Sequence, residues 1–402
     1  MRWIRVLVSW QAIQPDQNGE YEWVDVDTKL KAATDARLSP IVTVINNPNW
    51  ADQDGNHCGP LQDNQYLLNF LTALVERYSR PPYNVKYWEL GNEIDLTYPV
   101  WQDVYAPSGM IGCWGDLIPQ YVEILRAARQ AIKGVDPDAT ILMGSLAMVE
   151  SINLDFLDQV LAAGGGPYFD GVGFSMYYGQ DKAWYTCADP DRAQHHRCRS
   201  EIGTRGKSQI IRDVLTRHGV DKLILVTETA SRCLHAYPKW EPCTQEELLV
   251  SAQYVVKANV RAVSSGAPII IWFTLDYPGF YHSSLLDENE EPKLSFESYR
   301  VMAQELRWAR YVRPMSLEKL GDQRLEGYLF EIGDRKKWVI WANEAVALPV
   351  RFKSSEQPGG RLKVVDLFGG EQIWSNAGGD SSSDETISLT VGESPVYVGQ
   401  LP

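Results

Sequence analysis

The chain has 402 residues, with 38 lysines and arginines against 52 aspartates and glutamates, so its formal net charge at pH 7 is −14. An acidic chain lacks the basic surface that nucleic acids and anionic membranes require of a partner, and no apolar run reaches the ~18 residues of a membrane span. The hydrophobic fraction of 44% is typical of a globular protein and too high for a disordered one. The oligomeric state is left open.

The first 310 residues alternate short runs of β-branched apolar residues with longer amphipathic segments. Seven strands are predicted, at residues 3–9, 40–45, 85–90, 140–144, 171–176, 223–227 and 268–273. Helices are predicted from 3.6-residue periodicity at residues 63–79, 117–133, 154–163, 207–218, 245–264 and 296–310. Strands that alternate with helices predict a parallel sheet covered by helices.

The number of strands is one fewer than a (β/α)8 barrel requires, and a barrel that lacks a strand has two exposed edges. Because a strand is predicted from residue 3 onward, we expect the missing strand to be the first one, absent from the N-terminus of this chain. Residues 1–310 are therefore predicted to form an α/β domain, a (β/α)8 TIM barrel whose first strand is missing here.

After residue 310 the pattern changes to short strands without helices between them, predicted at residues 328–332, 338–341, 350–352, 362–365, 387–391 and 395–398. Turns rich in glycine and serine separate them, at residues 357–360 and 377–384. This pattern predicts a C-terminal antiparallel β-sandwich over residues 311–402.

Cysteines occur at six positions: Cys58, Cys113, Cys187, Cys198, Cys233 and Cys243. An even number fits three disulfides formed in an oxidising compartment. Proximity in sequence favours Cys187 with Cys198 and Cys233 with Cys243, which leaves Cys58 for Cys113, although the sequence allows other pairings.

A zinc site is the alternative use of these cysteines, because histidines lie near them at His57, His195, His196 and His235. No two cysteines have the Cys-x-x-Cys spacing of a structural zinc site, so disulfides are the preferred prediction and no metal is expected. Residues 1–8 are too short for an export signal, and we expect that a signal was removed from an extracellular or periplasmic protein.

Two glutamates stand after predicted strands: Glu93 after residues 85–90 and Glu228 after residues 223–227. Barrel enzymes carry their active sites at this end of the strands. Cleavage of a glycosidic bond with retention of configuration needs two carboxyl groups ~5–5.5 Å apart, one protonated and one ionised. Either glutamate alone would be an ordinary strand-end carboxylate.

Several short motifs lie at or near the predicted strand ends. They are residues 88–93 (Trp-Glu-Leu-Gly-Asn-Glu), 226–228 (Val-Thr-Glu), 10–15 after Arg5 (Trp-Gln-Ala-Ile-Gln-Pro), 47–51 (Asn-Pro-Asn-Trp-Ala) and 135–139 (Val-Asp-Pro-Asp-Ala), then Trp272, 285–287 and 292–293. In these motifs the chain resembles the glycoside hydrolase clan A superfamily, the retaining (β/α)8 enzymes. A barrel followed by a β-sandwich is most similar to family 39, which holds β-xylosidases, α-L-iduronidases and endo-acting exopolysaccharide hydrolases.

The resemblance implies roles for the residues that match its motifs. Glu93 would be the general acid and then the base, which requires a raised pKa in the free enzyme. Glu228 would be the nucleophile, kept ionised by donors such as Arg5 and Tyr177. Asn92 would bind the sugar 2-hydroxyl through a hydrogen bond that tightens in the transition state.

Further positions imply contacts to the substrate. Trp272 would form an apolar floor under the sugar at the cleavage point. Some of the loop tryptophans are expected to stack on sugar rings, out of Trp50, Trp101, Trp114, Trp184 and Trp240. Ser175 stands where the family usually has a histidine, and Gln14 where it often has a glutamate, so the resemblance does not imply which sugar occupies the first subsite.

From these features we expect a retaining glycoside hydrolase that cleaves a β-linked oligo- or polysaccharide by double displacement, without a cofactor. The net charge disfavours a polyanionic substrate, although residues 192–205 are locally basic. Two alternatives stay open: a catalytically silent carbohydrate-binding barrel, and a metalloprotein that uses the cysteines and histidines.

Overall fold

The structure is a computed structural model that describes residues 2–53, 55, 57–96, 114–115, 117–148, 155–178, 203–231, 233, 241–375 and 386–401. The chain forms two compact units. The first comprises Met1–Met176, Ala183–Glu228 and Ala267–Ile271, and the second comprises Tyr177–Lys182, Thr229–Gly266 and Trp272–Pro402. The domain boundary at residue 310 stays a prediction.

The first sheet is a nearly closed barrel of parallel strands whose spatial order follows the chain. Its strands are β1 (Trp3–Ser9), β2 (Ser39–Ile45), β3 (Tyr87–Leu90), β4 (Thr140–Leu146), β5 (Gly171–Tyr177), β6 (Leu223–Ala230) and β7 (Ile270–Trp272). β4, β5 and β6 are buried along nearly their whole length, as strands of a covered parallel sheet should be. The predicted α/β barrel is confirmed, and each of the seven strands predicted before residue 310 corresponds to one of these strands.

Helices alternate with the strands. They are α1 (Trp10–Ile13), α2 (Val24–Asp35), α3 (Asn64–Tyr78), α4 (Ile118–Val135), α5 (Phe156–Ala162), α6 (Gly203–Arg217), α7 (Gln245–Ser264), α8 (Leu294–Glu305) and α9 (Leu317–Leu320). Short 3-10 turns lie at Gly166–Tyr168, Phe280–His282, Ser354–Glu356 and Pro358–Gly360. The sequence did not predict α2, whose buried stripe consists only of Val26, Leu30 and Ala33.

Side-chain caps fix where the helices begin. Asp63 precedes α3 and accepts a hydrogen bond from the Gln65 N–H at 2.8 Å. Thr244 and Glu247 form a reciprocal capping box at the start of α7, in which each side chain accepts from the other residue's backbone N–H. α8 ends at Glu305, earlier than predicted, because the backbone turns into a new strand at Arg310.

The second unit contains two antiparallel sheets. Their strands are β8 (Arg310–Pro314), β9 (Leu325–Ile332), β10 (Arg335–Ala342), β11 (Leu348–Lys353), β12 (Arg361–Val365), β13 (Glu371–Ser375), β14 (Thr386–Val391) and β15 (Val396–Gln400). Six of them form a sheet in the order β13-β12-β15-β10-β9-β8, and β11 pairs with β14. Apolar side chains of both sheets, such as Trp338, Phe352 and Leu389, share one core. The predicted antiparallel domain is confirmed, with β8 and β13 as additional strands.

A buried ion pair joins α7 to β9 within this unit. The Arg261 guanidinium contacts Glu326 Oε2 at 2.6 Å and Oε1 at 3.0 Å, and the Tyr328 hydroxyl donates to Oε1 at 2.5 Å. Burial by itself raises the pKa of Glu326, but the charge and hydrogen bonds of Arg261 outweigh that effect and lower it to about 2. The pair is therefore charged at neutral pH.

Gly173 on β5 is required by the packing of the barrel interior. A Cβ at this position would lie 2.6 Å from Thr227 Oγ1 and 2.9 Å from Glu89 Oε1, and β-strand backbone cannot move away without breaking its neighbours' hydrogen bonds. Gly134 near the end of α4 has no atom within 4 Å of such a Cβ.

Gly173→Ala is therefore expected to destabilise the protein by about 1–3 kcal/mol because the added methyl overpacks the interior. Gly134→Ala, the matched control, should be neutral or stabilise by up to about 1 kcal/mol because alanine is the better helix former. Thermal unfolding followed by circular dichroism would test both. A Gly173→Ala midpoint equal to that of the parent would show that the barrel interior has room for the methyl.

Candidate active site

Arg5 lies in the middle of β1, and its buried guanidinium is the hub of the site. Its Nε and Nη2 lie 2.7 and 2.6 Å from Glu89 Oε2, its Nη1 lies 3.2 Å from Glu228 Oε2, and its Nη2 donates to Asn92 Oδ1 at 2.9 Å. Burial lowers the pKa of Arg5, but the charges of Glu89 and Glu228 overcome this and raise it above its usual value. Arg5 is thus a permanent cation shared by two carboxylates.

Glu89 on β3 is a site residue that the sequence reasoning missed. It is fully buried, and Oε2 also accepts from the Thr43 hydroxyl at 2.7 Å. A usable signal existed, because Arg5 and Glu89 are opposite charges in the middle of two predicted buried strands. Charges at such positions occur almost only as pairs.

Glu228 lies near the end of β6 with its side chain 9% exposed. A cation at 3.2 Å favours the ionised form of a carboxylate. The contact with Arg5 therefore biases Glu228 toward the anion.

Glu93 follows β3 in the left-handed backbone region, with φ of 47°, and its N–H donates to Ser145 Oγ at 2.9 Å. The residue as a whole is half-buried, and protein densely surrounds its carboxyl group. Burial, then the charges of Glu228 and Asp95, raise the pKa of Glu93 to about 8. The Ser175 hydroxyl and the Lys207 charge oppose this rise only in part.

Asp95 and Lys207 form a second buried layer behind Glu93. Asp95 accepts hydrogen bonds from the Ala147 and Met148 N–H groups at 2.7 and 2.9 Å, and its burial raises its pKa to about 6. Lys207 on α6 is fully buried and donates to the carbonyl oxygens of Ala147 at 2.6 Å and Ser175 at 2.9 Å. The sequence offered no signal for Lys207, which opens a predicted amphipathic helix and would pass for a surface residue.

Asn92 and Ser175, both predicted from the sequence, lie in the same cluster. Asn92 Oδ1 accepts from Arg5 and from the Ser145 hydroxyl, the latter at 3.1 Å. Ser175 is buried on β5, and its hydroxyl lies beside the Glu93 carboxyl group. The structure thus brings together Arg5, Asn92, Glu93, Ser175 and Glu228.

A cavity opens beside Asn92. Its walls include His57 and Trp114, one of the predicted loop tryptophans. Trp50 packs edge-on against Trp10 and Tyr66, with ring centroids 5.8 and 5.3 Å away, and its indole N–H donates to a backbone oxygen.

Three further predicted positions are buried. Tyr177 at the end of β5 and Trp272 at the end of β7 belong to the second unit, where the Trp272 indole N–H donates to the Ser283 carbonyl at 2.8 Å. Gln14 is buried and accepts from the Trp10 indole at 3.0 Å. Trp101, Trp184 and Trp240 lie outside the described residues.

Cys233 and Cys243 form a disulfide with Cα atoms 5.5 Å apart, as proximity in sequence predicted. Cys58 is also disulfide-bonded, whereas Cys113, Cys187 and Cys198 lie outside the described residues. In the part of the chain that the structure describes, no three His, Cys, Asp or Glu side chains are grouped to hold a metal. Likewise, no helix there is long and apolar enough to cross a membrane.

The site therefore holds two neighbouring strand-end carboxyl groups with opposite electrostatic surroundings. Glu93 is disposed to keep its proton at neutral pH, and Glu228 is disposed to lose it. Such a pair can donate a proton to a leaving group while an ionised carboxylate attacks or activates a nucleophile.

The raised pKa of Glu93 predicts a stability change with pH. The folded protein keeps a proton on Glu93 that the unfolded chain loses near the ordinary value of 4.5, so this stabilisation is lost as pH rises from there to about 8. Glu93→Gln, which is neutral at every pH, should raise the thermal midpoint by several degrees at pH 8 and by little near pH 4.

Glu76→Gln, an exposed change on α3, is the control and should leave the midpoint unaltered at both pH values. A Glu93→Gln midpoint that matches the parent at pH 8 would mean that Glu93 is ionised without strain in the folded protein.

No family model and no curated protein matches the sequence. Solved structures do match. A family 39 glycoside hydrolase from Bacteroides cellulosilyticus aligns with a TM-score of 0.73 and 16% identity, covering 99% of this chain and 75% of that one. A family 30 subfamily 8 xylanase from Clostridium acetobutylicum aligns at 0.61 and 12%, covering 100% and 89%.

A family 51 α-L-arabinofuranosidase from Thermotoga petrophila aligns with a TM-score of 0.57 and 12% identity, covering 94% of this chain and 78% of that one. These neighbours are glycoside hydrolases, and they confirm the barrel fold that the resemblance in the motifs implied. At such identities the likeness establishes the architecture and leaves the chemistry to be argued from the site. The chain has the fold that these glycoside hydrolases share.

Proposed function

We propose that the protein is a retaining glycoside hydrolase that cleaves a β-linked oligo- or polysaccharide, with Glu93 as acid and base and Glu228 as nucleophile. The observation that carries the proposal is the pairing of the two strand-end carboxyl groups: burial and neighbouring carboxylates raise the pKa of Glu93, while Glu228 lies against the Arg5 guanidinium. The fold, shared with glycoside hydrolases of three families, supports it.

In the first step the Glu228 carboxylate attacks the anomeric carbon while Glu93 gives its proton to the glycosidic oxygen. The bond between these two atoms breaks, the leaving group departs with the proton, and a glycosyl ester of Glu228 remains. In the second step Glu93, now ionised, takes a proton from water. The water oxygen attacks the anomeric carbon, the ester bond breaks, and Glu228 is released as the carboxylate.

Arg5 and Asn92 support these steps. Arg5 holds Glu228 ionised and oriented before the attack, and it stabilises the carboxylate that is released afterwards. Because Asn92 Oδ1 already accepts from Arg5 and Ser145, the amide NH2 is the part of Asn92 that is directed to a substrate hydroxyl. This matches its proposed role at the sugar 2-hydroxyl.

Tyr177, Trp272, Trp50 and Ser175 are proposed to contact the substrate. Trp50 packs against two aromatic rings, which hold its indole in a fixed orientation. The proposed location is extracellular or periplasmic, because the disulfide between Cys233 and Cys243 is a feature of oxidising compartments.

Replacement of the nucleophile tests the proposal most directly. The parent should hydrolyse at least one substrate in a panel of aryl β-glycosides and β-linked polysaccharides, and Glu228→Ala should slow that reaction about 10⁴-fold or more, the scale on which loss of a nucleophile slows other hydrolases. Azide should restore turnover of an aryl glycoside in Glu228→Ala by taking the place of the lost carboxylate.

The product anomer, observed by proton NMR before it equilibrates, should keep the configuration of the substrate. An inverted product would contradict the nucleophilic role of Glu228. A parent that binds glycans but hydrolyses none would favour the catalytically silent barrel. Glu76→Gln serves again as the unchanged control.

The alkaline limb of the pH profile should report Glu93. A general acid must be protonated in the free enzyme, so kcat/KM should stay high at neutral pH and fall as pH rises through about 8. Glu93→Gln should lose about 10²–10⁴-fold on substrates with poor leaving groups, much less on activated aryl glycosides, and should lack this alkaline limb. An unchanged limb in Glu93→Gln would assign it to another group.

A further inference from the structure

A second cavity lies in the second unit between the end of α8 and the strands β10, β12 and β15. Four cations line it, namely Arg335, Lys336, Lys337 and Lys363, against one carboxylate, Glu305. The chain as a whole has a net charge of −14, so this cavity has the opposite charge to most of the protein. We call these lining residues the basic groove.

The strand register places two of the lysines on either side of a glycine. Lys337 on β10 and Lys363 on β12 both pair with Gly399 on the intervening β15, so all three share one face of the sheet. A Cβ at Gly399 would lie 3.3 Å from Lys337 Cε. The missing side chain therefore leaves a notch between the two lysine stems.

Tyr397 forms the floor of the basic groove. It lies two residues before Gly399 and therefore on the same face of β15. Its side chain is fully buried, and its hydroxyl has no hydrogen-bond partner among the described residues. A buried hydroxyl without a partner is rare and costly, so an oxygen of a ligand in the cavity would satisfy a group that the protein leaves unsatisfied.

Two of the four cations are already paired. Lys337 bonds the Glu305 carboxylate and, at 3.0 Å, its carbonyl oxygen, and Lys363 bonds Glu371 at 2.5 Å. Arg335 and Lys336 have no carboxylate within 4.0 Å among the described residues. The groove thus has a surplus of positive charge.

Two acidic residues lie near the hairpin that carries Arg335. Glu331 on the neighbouring strand contacts Arg310 at 2.5 Å, which leaves Asp334, next to Arg335 in the turn, as the nearest unpaired acid in sequence. Arg335 lies two residues before Lys337 on β10 and therefore on the same face as the notch and Tyr397, whereas Lys336 lies on the opposite face. An unpaired guanidinium, a notch and a buried hydroxyl donor are groups that bind an oxyanion.

We propose that the basic groove binds the carboxylate or sulfate group of an acidic oligosaccharide. The glycan as carrier of that group rests on the proposed function; the oxyanion itself follows from the groove. The chain's overall negative charge does not exclude such a ligand, because charges beyond about 10 Å are screened at physiological salt while the groove lies in contact with it.

Calorimetric titration of the full chain would test this with three oligosaccharides of one length: neutral, glucuronate-bearing and sulfated. Arg335→Ala/Lys336→Ala should weaken binding of an acidic ligand about tenfold or more, and raised salt should weaken binding to the parent. Tyr397→Phe should weaken it several-fold without lowering the thermal midpoint, because the hydroxyl has no described partner to lose.

Lys29→Ala/Lys31→Ala is the matched control, since it removes the same charge from exposed lysines of α2. An equal loss in this control, or equal affinity of the parent for neutral and acidic ligands, would overturn the proposal. Tighter binding of the glucuronate-bearing or of the sulfated oligosaccharide would identify which oxyanion the groove prefers. Either preference would support the proposal. Binding is measured without turnover. If the groove binds an acidic ligand but the chain hydrolyses no substrate, the result rejects the proposed glycosidase function and leaves the proposed groove standing.

Discussion

A single buried guanidinium underlies the site. Arg5 holds Glu89 on one side and Glu228 on the other, and it also orients Asn92. A cation this deeply buried is stable only with carboxylate partners, and the carboxylates are equally dependent on it. Strands β1, β3 and β6 are thereby tied together at the point where the chemistry is proposed, so the interaction that stabilises the barrel interior also places a cation against Glu228.

The two strand-end glutamates have different electrostatic neighbours. Glu228 faces Arg5, whereas Glu93 is surrounded by protein, by Glu228 itself and by Asp95. The positive charge of Lys207 partly opposes the rise in the pKa of Glu93. Hydrogen bonds to backbone carbonyls at the ends of two strands hold Lys207 in place. The proposed acid is thus tuned by a layer of residues that would never touch a substrate.

Much of this could be predicted from the sequence, and the exceptions have physical reasons. The seven strands were recognisable because buried parallel strands are nearly continuous apolar runs, and Glu93 and Glu228 because chemistry in barrels sits at strand ends. Helix α2 was not predicted because only three of its residues form its buried stripe. Lys207 was not predicted as a buried residue of the site, because burial of a lysine depends on the residues that pack around it and periodicity does not reveal them. The basic groove depends on the register of three strands that are distant in sequence, and short strands do not specify their register.

The ion pair between Arg261 and Glu326 has a consequence for how this architecture can be divided. A chain cut at residue 310 would keep Arg261 on α7 but lose the carboxylate on β9, and removal of one partner from a buried pair costs about 3–5 kcal/mol. Transfer of the C-terminal strands to another enzyme would meet the converse problem, because Glu326 would be buried without its counter-ion. Evolution can therefore exchange these strands only together with the helix that carries their counter-ion, so the portable module is larger than the sheet alone.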